Sequence, residues 1–584
     1  MKKTTFIKAI GIVTVLSLGV PSIAISAQNT STSTAQETET TQSNNSILMG
    51  TPPDGPMGNP PDGMPGVPGN FEAPGGASGV TYEATESISS DKTESGKKIS
   101  SDTADVIGLL VTGGTITESN LTISKTGDSN GGDNCNFYGQ NAAVLAKDSA
   151  VLNITGADIY TNASGANGVF SYGGNGGTNG ASGDGTTVNI SDSTIVTEGN
   201  GSGGIMTTGG GITNATNLII TTSGQSSAAI RTDRGGGTVN VDGGTYTTNG
   251  LGSPAIYSTA DITVKNAELI SNLSEGVVIE GKNSVTLENV NLIANNTKTN
   301  GNATHYDTIF MYQSMSGDAD SGTSSFTMTG GSLTSLNGEV FHVTNTNAVI
   351  NLSNVSITNK DSDNILLTVT NDGWSGAANI ATLNASNQKL TGNIIVSNTA
   401  VKDNNSSILT LNLADSSIFE GSINTSESDK GTVNITIDES SVWKLTADSY
   451  VTSITGSGYI DYNGYTLYVG STAYNADNPL SGFKIESTSH DTVSTVVFKN
   501  TTKTINEAFL ETSKKTYSVI KTSGGGKVSV VKYYKNAADY IKVSSKGKVT
   551  VKKGTPSGTY KIKIKIAATD DYPETTKVIK IKVK

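Results

Sequence analysis

Three consecutive copies of one pattern occupy Ser226–Leu292: SSAAIRTDRGGGTVNVDGGTYTTNG (226–250), LGSPAIYSTADITVKNAELISN (251–272) and LSEGVVIEGKNSVTLENVNL (273–292). Each copy begins with a short apolar run, marked by Ile230, Ile256 and Val278. After a turn, each copy has two apolar residues two positions apart and a third apolar residue five positions later. These trios, with four more outside the stretch, are Val239, Val241 and Tyr246; Ile262, Val264 and Leu269; Val285, Leu287 and Leu292; Leu152, Ile154 and Ile159; Val188, Ile190 and Ile195; Phe326, Met328 and Leu333; and Ile350, Leu352 and Ile357.

The spacing within each trio predicts short strands separated by a bend. Residues two apart lie on one face of a strand, and Asn, Asp, Gly or Ser fills the break before the third apolar residue. Val241, Val264 and Leu287 recur at 23-residue intervals. A unit this small buries little by itself, so its apolar side must be closed by stacking on further copies. We therefore expect an all-β fold, a right-handed parallel β-helix (a solenoid) with inward residues stacked in columns. An α-helical fold is rejected because no window keeps a 3.6-residue stripe and Gly, Thr and Asn are too frequent.

The charge is unevenly distributed along the 584 residues. The chain has 39 basic and 51 acidic residues and a net charge of −12, which argues against a general nucleic-acid-binding protein. From Lys503 to Lys584, however, 19 lysines stand against six acidic residues. This asymmetry predicts a basic tail domain on an acidic body. Cys135 is the single cysteine, so an intrachain disulfide and a cysteine-rich metal site are both excluded.

The first 78 residues read as export and linker segments. Residues 1–27 have the lysines, apolar run and small residues of a signal peptide. The apolar run is too short to span a bilayer and no later stretch is longer, so we expect an exported mature chain without a transmembrane segment. Residues 28–78 are rich first in Thr and Ser and then in Pro and Gly, which predicts a disordered, semi-rigid linker. A Pro-rich recognition segment is the alternative.

The solenoid is expected to cover residues 79–470, with irregularities at its corners. The insertions are predicted at 127–140, 173–186, 295–307 and 312–324, and Ser441–Val469 is the candidate for the closing turns and cap. Residues 471–500 are then interpreted as a linker. Residues 501–584 alternate apolar residues with exposed Lys, which predicts a small, basic Ig-like β-sandwich. Its lysines either protect sheet edges or contact an anionic cell-wall polymer.

The body of the chain resembles the pectin-lyase-like right-handed parallel β-helix superfamily, especially exported surface proteins of Gram-positive gut bacteria. The resemblance rests on SPAIYSTADITV (253–264), GVVIEGKNSVTLENV (276–290), MYQSMSGDADSGTSSFTMTGGSLTS (311–335) and VFHVTNTNAVINLSNV (340–355). The segment 441–469 is similar to the closing turns of autotransporter passengers. The last 80 or so residues look like the Ig-like repeats of clostridial exported proteins. The resemblance implies a secreted, cell-surface or cell-wall-associated protein.

The superfamily includes polygalacturonases and pectate lyases, so catalysis is implied as one alternative. The polygalacturonase signatures Gly-His-Gly, Gly-Asp-Asp and Arg-Ile-Lys are absent from this sequence. The pectate-lyase signature Arg-x-Pro-x-x-Arg is also absent, because RTDRGGG (231–237) lacks the Pro and the spacing. Inherited catalysis is therefore disfavoured, although the same scaffold can support other chemistry.

One corner of the coil carries the strongest candidate ligand site. Arg231 and Arg234 are the only arginines, and they flank Asp233. Arg suits planar recognition of carboxylate or sulfate, and the alternative is an ion pair that holds neighbouring coils. Coils about 4.8 Å apart would bring further residues to this corner and form a groove suited to sugars. The additional candidates are Tyr257, Glu280, Lys282, Tyr312 and Gln313.

Asp233 and Glu280 are the candidate catalytic pair, since glycoside hydrolysis requires two carboxyl groups about 5–9.5 Å apart. His305 and His342 could act as acid or base, but isolated His residues of this kind are more often structural, and His490 lies outside the coil. Fragments of Ca²⁺-binding loops are the other weak candidates, although both lack the closing Glu. Their residues are Asp128, Asn130 and Asp133 in the first fragment and Asp318 and Asp320 in the second.

The sequence thus favours a non-catalytic adhesin or carbohydrate-binding protein that uses corner loops of the solenoid to bind a polysaccharide or surface glycan, with no required cofactor. The alternative is a polysaccharide lyase or glycoside hydrolase that acts on an acidic glycan at the Arg231–Glu280 groove.

Overall fold

A computed structural model describes residues 79–130, 133–299, 305–314, 318–372, 378–398, 407–427, 430–485, 500–520, 527–567 and 575–584. The predicted signal peptide, the 28–78 linker and His490 lie outside these residues. The fold is all-β, as predicted, with long parallel sheets stacked into a parallel β-helix solenoid. Right-handed winding stays a prediction. No helix in the described ranges is long and apolar enough to cross a membrane.

The first sheet has twelve strands, one from each successive coil, and all of its pairings are parallel. In order, its strands are Glu83–Ile88, Val106–Thr112, Val144–Lys147, Val169–Tyr172, Ile205–Thr208, Ile230–Thr232, Ile256–Ser258, Val277–Glu280, Asp307–Tyr312, Glu339–Thr344, Ile365–Val369 and Asn393–Val396. We call it the first sheet. Its strands carry the candidate residues Arg231, Tyr257, Glu280, Tyr312 and His342.

The second sheet has 22 strands in two parallel rows. Two long strands, Gly211–Thr222 and Gly237–Thr248, run through both rows and join them. The other strands are Lys92–Ser95, Lys98–Ser101, Thr115–Ser119, Thr122–Lys125, Val151–Thr155, Asp158–Thr161, Thr187–Ser191, Thr194–Thr197, Asp261–Lys265, Glu268–Ser271, Ser284–Glu288, Asn291–Ala294, Thr323–Thr329, Ser332–Ser335, Asn347–Ser353, Ser356–Asn359, Ile380–Ser386, Ile408–Ala414, Thr432–Ile437 and Ser453–Gly456.

The predicted trios form the interior of the second sheet. Val239, Ile262 and Val285 are consecutive partners in the parallel register, and every trio residue is buried except Ile357, which is half-buried against the same core. Each buried aliphatic side chain stabilises the fold by roughly 1.5–3 kcal/mol. A single coil has few such side chains, so it is stable only when it is stacked on its neighbours. Val278 is not the equivalent of Ile256, because the register partner of Ile256 is Val277. The side chain of Val278 points out of the first sheet, and those of Val277 and Ile279 point inward.

Asparagine shapes the corners and the outer rows of the solenoid. Asn217, Asn266 and Asn289 adopt positive φ values of 52–54° at the bends, a conformation that Asn tolerates better than most residues. On the strands, the side-chain amide of Asn214 donates to Oδ1 of Asn189 at 2.9 Å, and that of Asn240 donates to Asn214 at 2.9 Å. These asparagine ladders hold adjacent coils in register.

The outward face of the first sheet is covered rather than exposed. Its central column, which we call the outer column, consists of consecutive register partners from neighbouring coils. Its members are at most 7% exposed, and they are Leu145, Phe170, Met206, Arg231, Tyr257, Val278, Phe310 and His342. The predicted insertions supply part of the cover: the short helix Asn134–Phe137, for instance, lies against Arg231 through Asn136.

The C-terminal end of the solenoid changes to two smaller sheets. Their strands are Lys389–Thr391, Ile418–Glu420, Val442–Lys444, Tyr459–Asp461 and Lys484–Ile485 in one, and Ser449–Val451, Leu467–Val469 and Thr472–Tyr474 in the other. Trp443 is fully buried here and stacks on Phe419. Thr472–Tyr474 folds back antiparallel on Leu467–Val469, and the boundary at Gly470 stays a prediction.

The basic C-terminal region forms two further sheets around one apolar core. Their strands are Thr502–Ile505, Val528–Tyr534, Gly558–Ile566 and Thr575–Val583 in the larger sheet, and Lys515–Ser518, Ile541–Val543 and Lys548–Val551 in the smaller. Two short helices, Glu507–Thr512 and Ala537–Tyr540, accompany them. The parallel pairing of Thr502–Ile505 with the last strand joins the ends of the region. Its Ig-like assignment stays a prediction.

Candidate functional site

Arg231 and Asp233 form a buried ion pair on the first sheet. The Arg231 Nη2 lies 2.9 Å from Oδ2 of Asp233, and Nη1 donates to Oδ1 of Asn136 at 3.2 Å. The Arg231 and Asp233 side chains are 2% and 4% exposed. The alternative interpretation as a structural ion pair therefore fits the geometry, since neither group faces solvent in this arrangement.

Burial also changes the acidity of Asp233. Removal from water raises the pKa of this carboxyl to about 7, and the nearby carboxylates of Asp318 and Glu280 act in the same direction. Arg231 and the backbone N–H of Arg234, which donates to Oδ1 at 2.9 Å, oppose the increase. An elevated pKa suits a general acid, but a substrate would first need access to the group.

Arg234 and Lys282 carry the exposed charges of this corner. Arg234 is 20% exposed, pairs with Asp318, and lies over the ring of Phe137 at 4.3 Å from its centroid. Lys282 pairs with Asp320 at 2.8 Å, and both side chains are well exposed, at 51% and 39%. The two pairs hold the segment around Asp318 and Asp320 against the coils below it.

Glu280 is the centre of a buried hydroxyl cluster. Its Oε2 accepts hydrogen bonds from the hydroxyls of Tyr257 at 2.5 Å and Tyr312 at 3.0 Å, and its Oε1 accepts from Ser314. Glu280 is 1% exposed. Desolvation raises the pKa of Glu280, whereas the hydroxyl donors from Ser314 and Tyr257 oppose that increase. The donors therefore favour a buried carboxylate with few lone pairs left for a ligand.

The exposed groove predicted at Arg231–Glu280 is not formed by those side chains. Tyr257 and Tyr312 are 7% and 0% exposed, so neither offers a ring face to a sugar. Gln313 is also buried, and its amide donates to the carbonyls of Ser314 and Ala319. The coil spacing brings these residues together as expected, but the segment after Tyr312 folds back over them.

An open cleft lies beside this corner instead, with a volume of about 450 Å³. It is bordered by the insertion at 173–186, by the glycine turn 235–237 and by the turn that contains Lys282. None of the described residues that line it is aromatic. The polar side chains at its wall include Asn179, Ser182, Asp261, Lys282, Asn283 and Asp320.

The candidate Ca²⁺-loop residues have protein partners. Asp128 accepts a hydrogen bond from the backbone of Ser164 at 2.8 Å, and the N–H of Asn130 donates to Asp105. Asp133 precedes the helix Asn134–Phe137 without capping it through its side chain, and Asp318 and Asp320 are engaged as described above. Calcium binding stays a prediction. Within the described ranges, the one group of three His, Cys, Asp or Glu with mutually close ligand atoms is His305, Glu339 and His342.

The histidine cluster was not predicted from the sequence. His305 and His342, interpreted as isolated, stack with ring centroids 3.8 Å apart and an interplanar angle of 3°. His342 belongs to the outer column next to Phe310, and His305 comes from the end of the insertion that precedes that strand. The repeat gave no signal for this contact, because His305 lies at the end of an insertion and outside the regular coil spacing.

Cys135 is a free, buried cysteine. Burial raises the pKa of its thiol to about 11, so the nucleophilic thiolate is scarce at neutral pH.

Comparison of the chain with protein-family models, with curated proteins and with solved structures gives no match. The resemblance to the pectin-lyase-like superfamily therefore stays an expectation drawn from the quoted segments, and the function must be argued from the site itself.

Proposed function

We propose that this protein is an exported, cell-surface solenoid that binds a polysaccharide or surface glycan without cleaving it. The open cleft beside Arg234 and Lys282 carries the proposal. Amide, hydroxyl and carboxylate groups at its wall match the donors and acceptors of sugar hydroxyls. The turn Gly235–Gly237 also lines the cleft, so part of its wall is backbone without side chains.

The buried state of the two candidate catalytic carboxyls favours binding over catalysis. Asp233 is held by Arg231, and Glu280 is enclosed by three hydroxyl groups. A glycosidase needs both carboxyl groups in contact with the scissile bond and with water or sugar. The runner-up proposal, a lyase or glycoside hydrolase on an acidic glycan, would need the covering segment after Tyr312 to open. The elevated pKa of Asp233 is the observation that favours it.

The cell-surface assignment rests on the expected export signal and on the resemblance to Gram-positive pectin-lyase-like surface proteins. A second binding function is proposed for the C-terminal region. On the larger sheet, Lys561 stands directly opposite Lys580, and Lys532 stands opposite Lys563. Like charges in such positions repel each other. An anionic cell-wall polymer would relieve that repulsion and attach the protein to the wall.

Binding at the cleft can be tested with the purified mature chain and a panel of immobilised neutral and acidic polysaccharides. We expect retention on at least one polysaccharide without new reducing ends or unsaturated uronate absorbance. Lys282→Gln should weaken retention about tenfold, which corresponds to about 1.4 kcal/mol. Lys265→Gln is the matched control, because Lys265 forms a similarly exposed ion pair with Glu288 and lies outside the cleft.

Three outcomes would overturn the proposal. Product that disappears in Asp233→Asn or Glu280→Gln, with the fold intact by circular dichroism, would establish the enzymatic alternative. Equal retention of Lys282→Gln and Lys265→Gln would place glycan binding elsewhere, and retention by neither polysaccharide class would leave a protein partner or a structural role.

A further inference from the structure

Two histidines that are distant in sequence meet on the outward face of the first sheet. His342 is 3% exposed and His305 is 19% exposed, measured on their side chains. Their rings are parallel and in contact. Three carboxyl groups surround the pair, from Asp307, Glu339 and Asp372. The cluster is separate from the proposed glycan cleft, whose lining includes none of these residues.

Asp372 faces the Nε2 side of both rings. Its Oδ2 lies 2.7 Å from Nε2 of His342 and 3.7 Å from Nε2 of His305. A carboxylate in this position accepts a hydrogen bond from Nε2–H and so leaves the lone pair on Nδ1. This is the arrangement by which outer carboxylates orient metal-binding histidines.

The Nδ1 side carries the other two carboxyl groups. Oδ2 of Asp307 lies 2.7 Å from Nδ1 of His305, and Oε1 of Glu339 lies 3.1 Å from Nδ1 of His342. The second oxygens, Oδ1 of Asp307 and Oε2 of Glu339, are shielded from solvent and have no hydrogen-bond partner among the described residues. Asp307 as a whole is 1% exposed. Buried carboxylate oxygens without a partner are costly, which indicates that a group is needed to satisfy them.

We propose that His305, Glu339 and His342, completed by Asp307, form a binding site for a divalent first-row transition ion of the Zn²⁺ type. Imidazole nitrogens with carboxylate oxygens suit such ions, whereas Ca²⁺ prefers an all-oxygen set. The ion satisfies the two unpartnered oxygens and separates the Nδ1 lone pairs from the carboxylates. Asp372 is the positioning residue, because it acts through the rings.

Closing the site requires the rings to tilt and Asp307 to move toward the other ligands, because Asp307 is not in the group whose ligand atoms are mutually close. Ligand atoms of His305, Glu339 and His342 all lie within 4.8 Å of one another, and two ligands on one Zn²⁺ are at most about 4.2 Å apart. The parallel rings must also tilt for both lone pairs to converge on one ion. His305, the more exposed of the two, has room for that rotation.

A protonated His342 is the competing explanation for the cluster. An imidazolium held between Glu339 and Asp372 accounts for both of the His342 contacts. It leaves Oδ1 of Asp307 and Oε2 of Glu339 unsatisfied, however, and protonating the stacked His305 as well would place two cations in contact. A bound divalent ion removes both difficulties.

The test uses the purified mature chain without a histidine tag, stripped with a chelator and titrated with Co²⁺ and then with Zn²⁺. We expect one Co²⁺ per chain with a visible d–d absorption band, displacement by one Zn²⁺, and a shift of the ¹⁵N resonance of Nδ1 in both rings. His342→Ala and Glu339→Gln should each weaken Zn²⁺ binding by about 10-fold to 100-fold. His490→Ala is the matched control, because His490 is the third histidine of the chain and is more than 140 positions from His305 and His342 in the sequence.

His305→Ala guards against a folding artefact, because this side chain is partly exposed and its loss leaves the sheet unchanged. It should keep the circular dichroism spectrum and lose Co²⁺ absorption. The proposal is overturned if Zn²⁺ does not bind at micromolar concentration, or if His305→Ala and His490→Ala bind it equally. It is also overturned if both ring nitrogens of His342 stay protonated in excess Zn²⁺, because the cluster is then an ion-pair network.

Discussion

The hydroxyl of Tyr257 lies 2.5 Å from Oε2 of Glu280, and both side chains are buried on the outward face of the first sheet. Tyr257 and Glu280 come from neighbouring coils, so this contact joins two turns of the solenoid outside its apolar core. Glu280 is a buried carboxyl group that accepts hydrogen bonds from the hydroxyls of Tyr257, Tyr312 and Ser314. These hydroxyl donors satisfy its oxygens, so we expect the stability of this region to depend on them.

Tyr257→Phe should reduce the free energy of unfolding by about 1–3 kcal/mol, because the lost donor leaves a buried carboxyl oxygen with one hydrogen bond fewer. Tyr246→Phe is the matched control: Tyr246 is equally buried, but its hydroxyl reaches the carbonyl of Gly243 only at 3.4 Å. Urea denaturation measures both, and hydrogen exchange in Val277–Glu280 locates the loss. Equal costs for the two variants would show that the Glu280 contact adds nothing specific.

Asp438 predicts a loss of stability in acid. Desolvation raises the pKa of its carboxyl, but hydrogen bonds from Ser441, Ser440 and the N–H of Asp415 outweigh it and lower the pKa to about 2. A carboxyl with a depressed folded-state pKa stabilises the fold above its unfolded pKa of about 4, and that contribution is lost as the pH falls toward 2.

The measurement is the difference in unfolding free energy between the wild type and Asp438→Asn at several pH values. It should be constant above pH 5 and shrink by on the order of 1 kcal/mol toward pH 2, because solvent screens this partly exposed group. Ser440→Ala removes only the hydroxyl donor of Ser440 and keeps its backbone N–H donor, so it should show a smaller change. A difference that grows in acid would contradict the assignment.

A column of glycines lies at one corner, at Gly199, Gly224 and Gly250. A Cβ at Gly224 would lie 1.8 Å from the carbonyl oxygen of Gly199, and one at Gly250 would lie 1.7 Å from that of Gly224. Gly224→Ala should therefore force the coils apart and cost about 1–3 kcal/mol or more. Ser223→Ala, at the exposed neighbouring position, should stay within about 0.5 kcal/mol of the wild type in the same denaturation experiment. A silent Gly224→Ala would mean that the coils are not this close.

Lys580 offers a test of the basic C-terminal sheet, because it stands directly opposite Lys561. Lys580→Glu should stabilise this region by about 0.2–1 kcal/mol at low salt, and the gain should vanish near 1 M salt, where the screening length is about 3 Å. The same variant should elute earlier from a polyphosphate resin. Lys546→Glu, in an exposed turn of the smaller sheet, is the control. If both variants elute alike, only net charge matters and the paired lysines are not a binding face.

The solenoid itself could be predicted from the sequence, because its pattern is local. Val239 and Val241 lie on the inward face because strand residues two apart share a face. The bend that follows them brings Tyr246 to the same face. The positions of the insertions were also readable, since they interrupt the repeat. The repeat and its interruptions can be recognised without knowing which coils an insertion covers in the folded protein.

The site could be predicted only in part, because its environment is set by long-range folding of the insertions. Coil arithmetic brought Tyr257 and Glu280 together, but nothing in the repeat predicted that the segment around Ser314 would bury them. His305 and His342 were missed for a related reason. The insertion before Asp307 hides the coil length, so residues 37 positions apart met where the regular interval predicted no contact.

The asparagine ladders give the solenoid a direction. Asn240 donates to Asn214 and Asn214 donates to Asn189, so each later coil supplies the donor and each earlier coil supplies the acceptor. A finished coil thus presents an unfilled carbonyl to the segment that follows it in the chain. Each wound coil therefore offers acceptors to the segment that comes next, which favours winding one coil at a time from the N-terminal end of the solenoid.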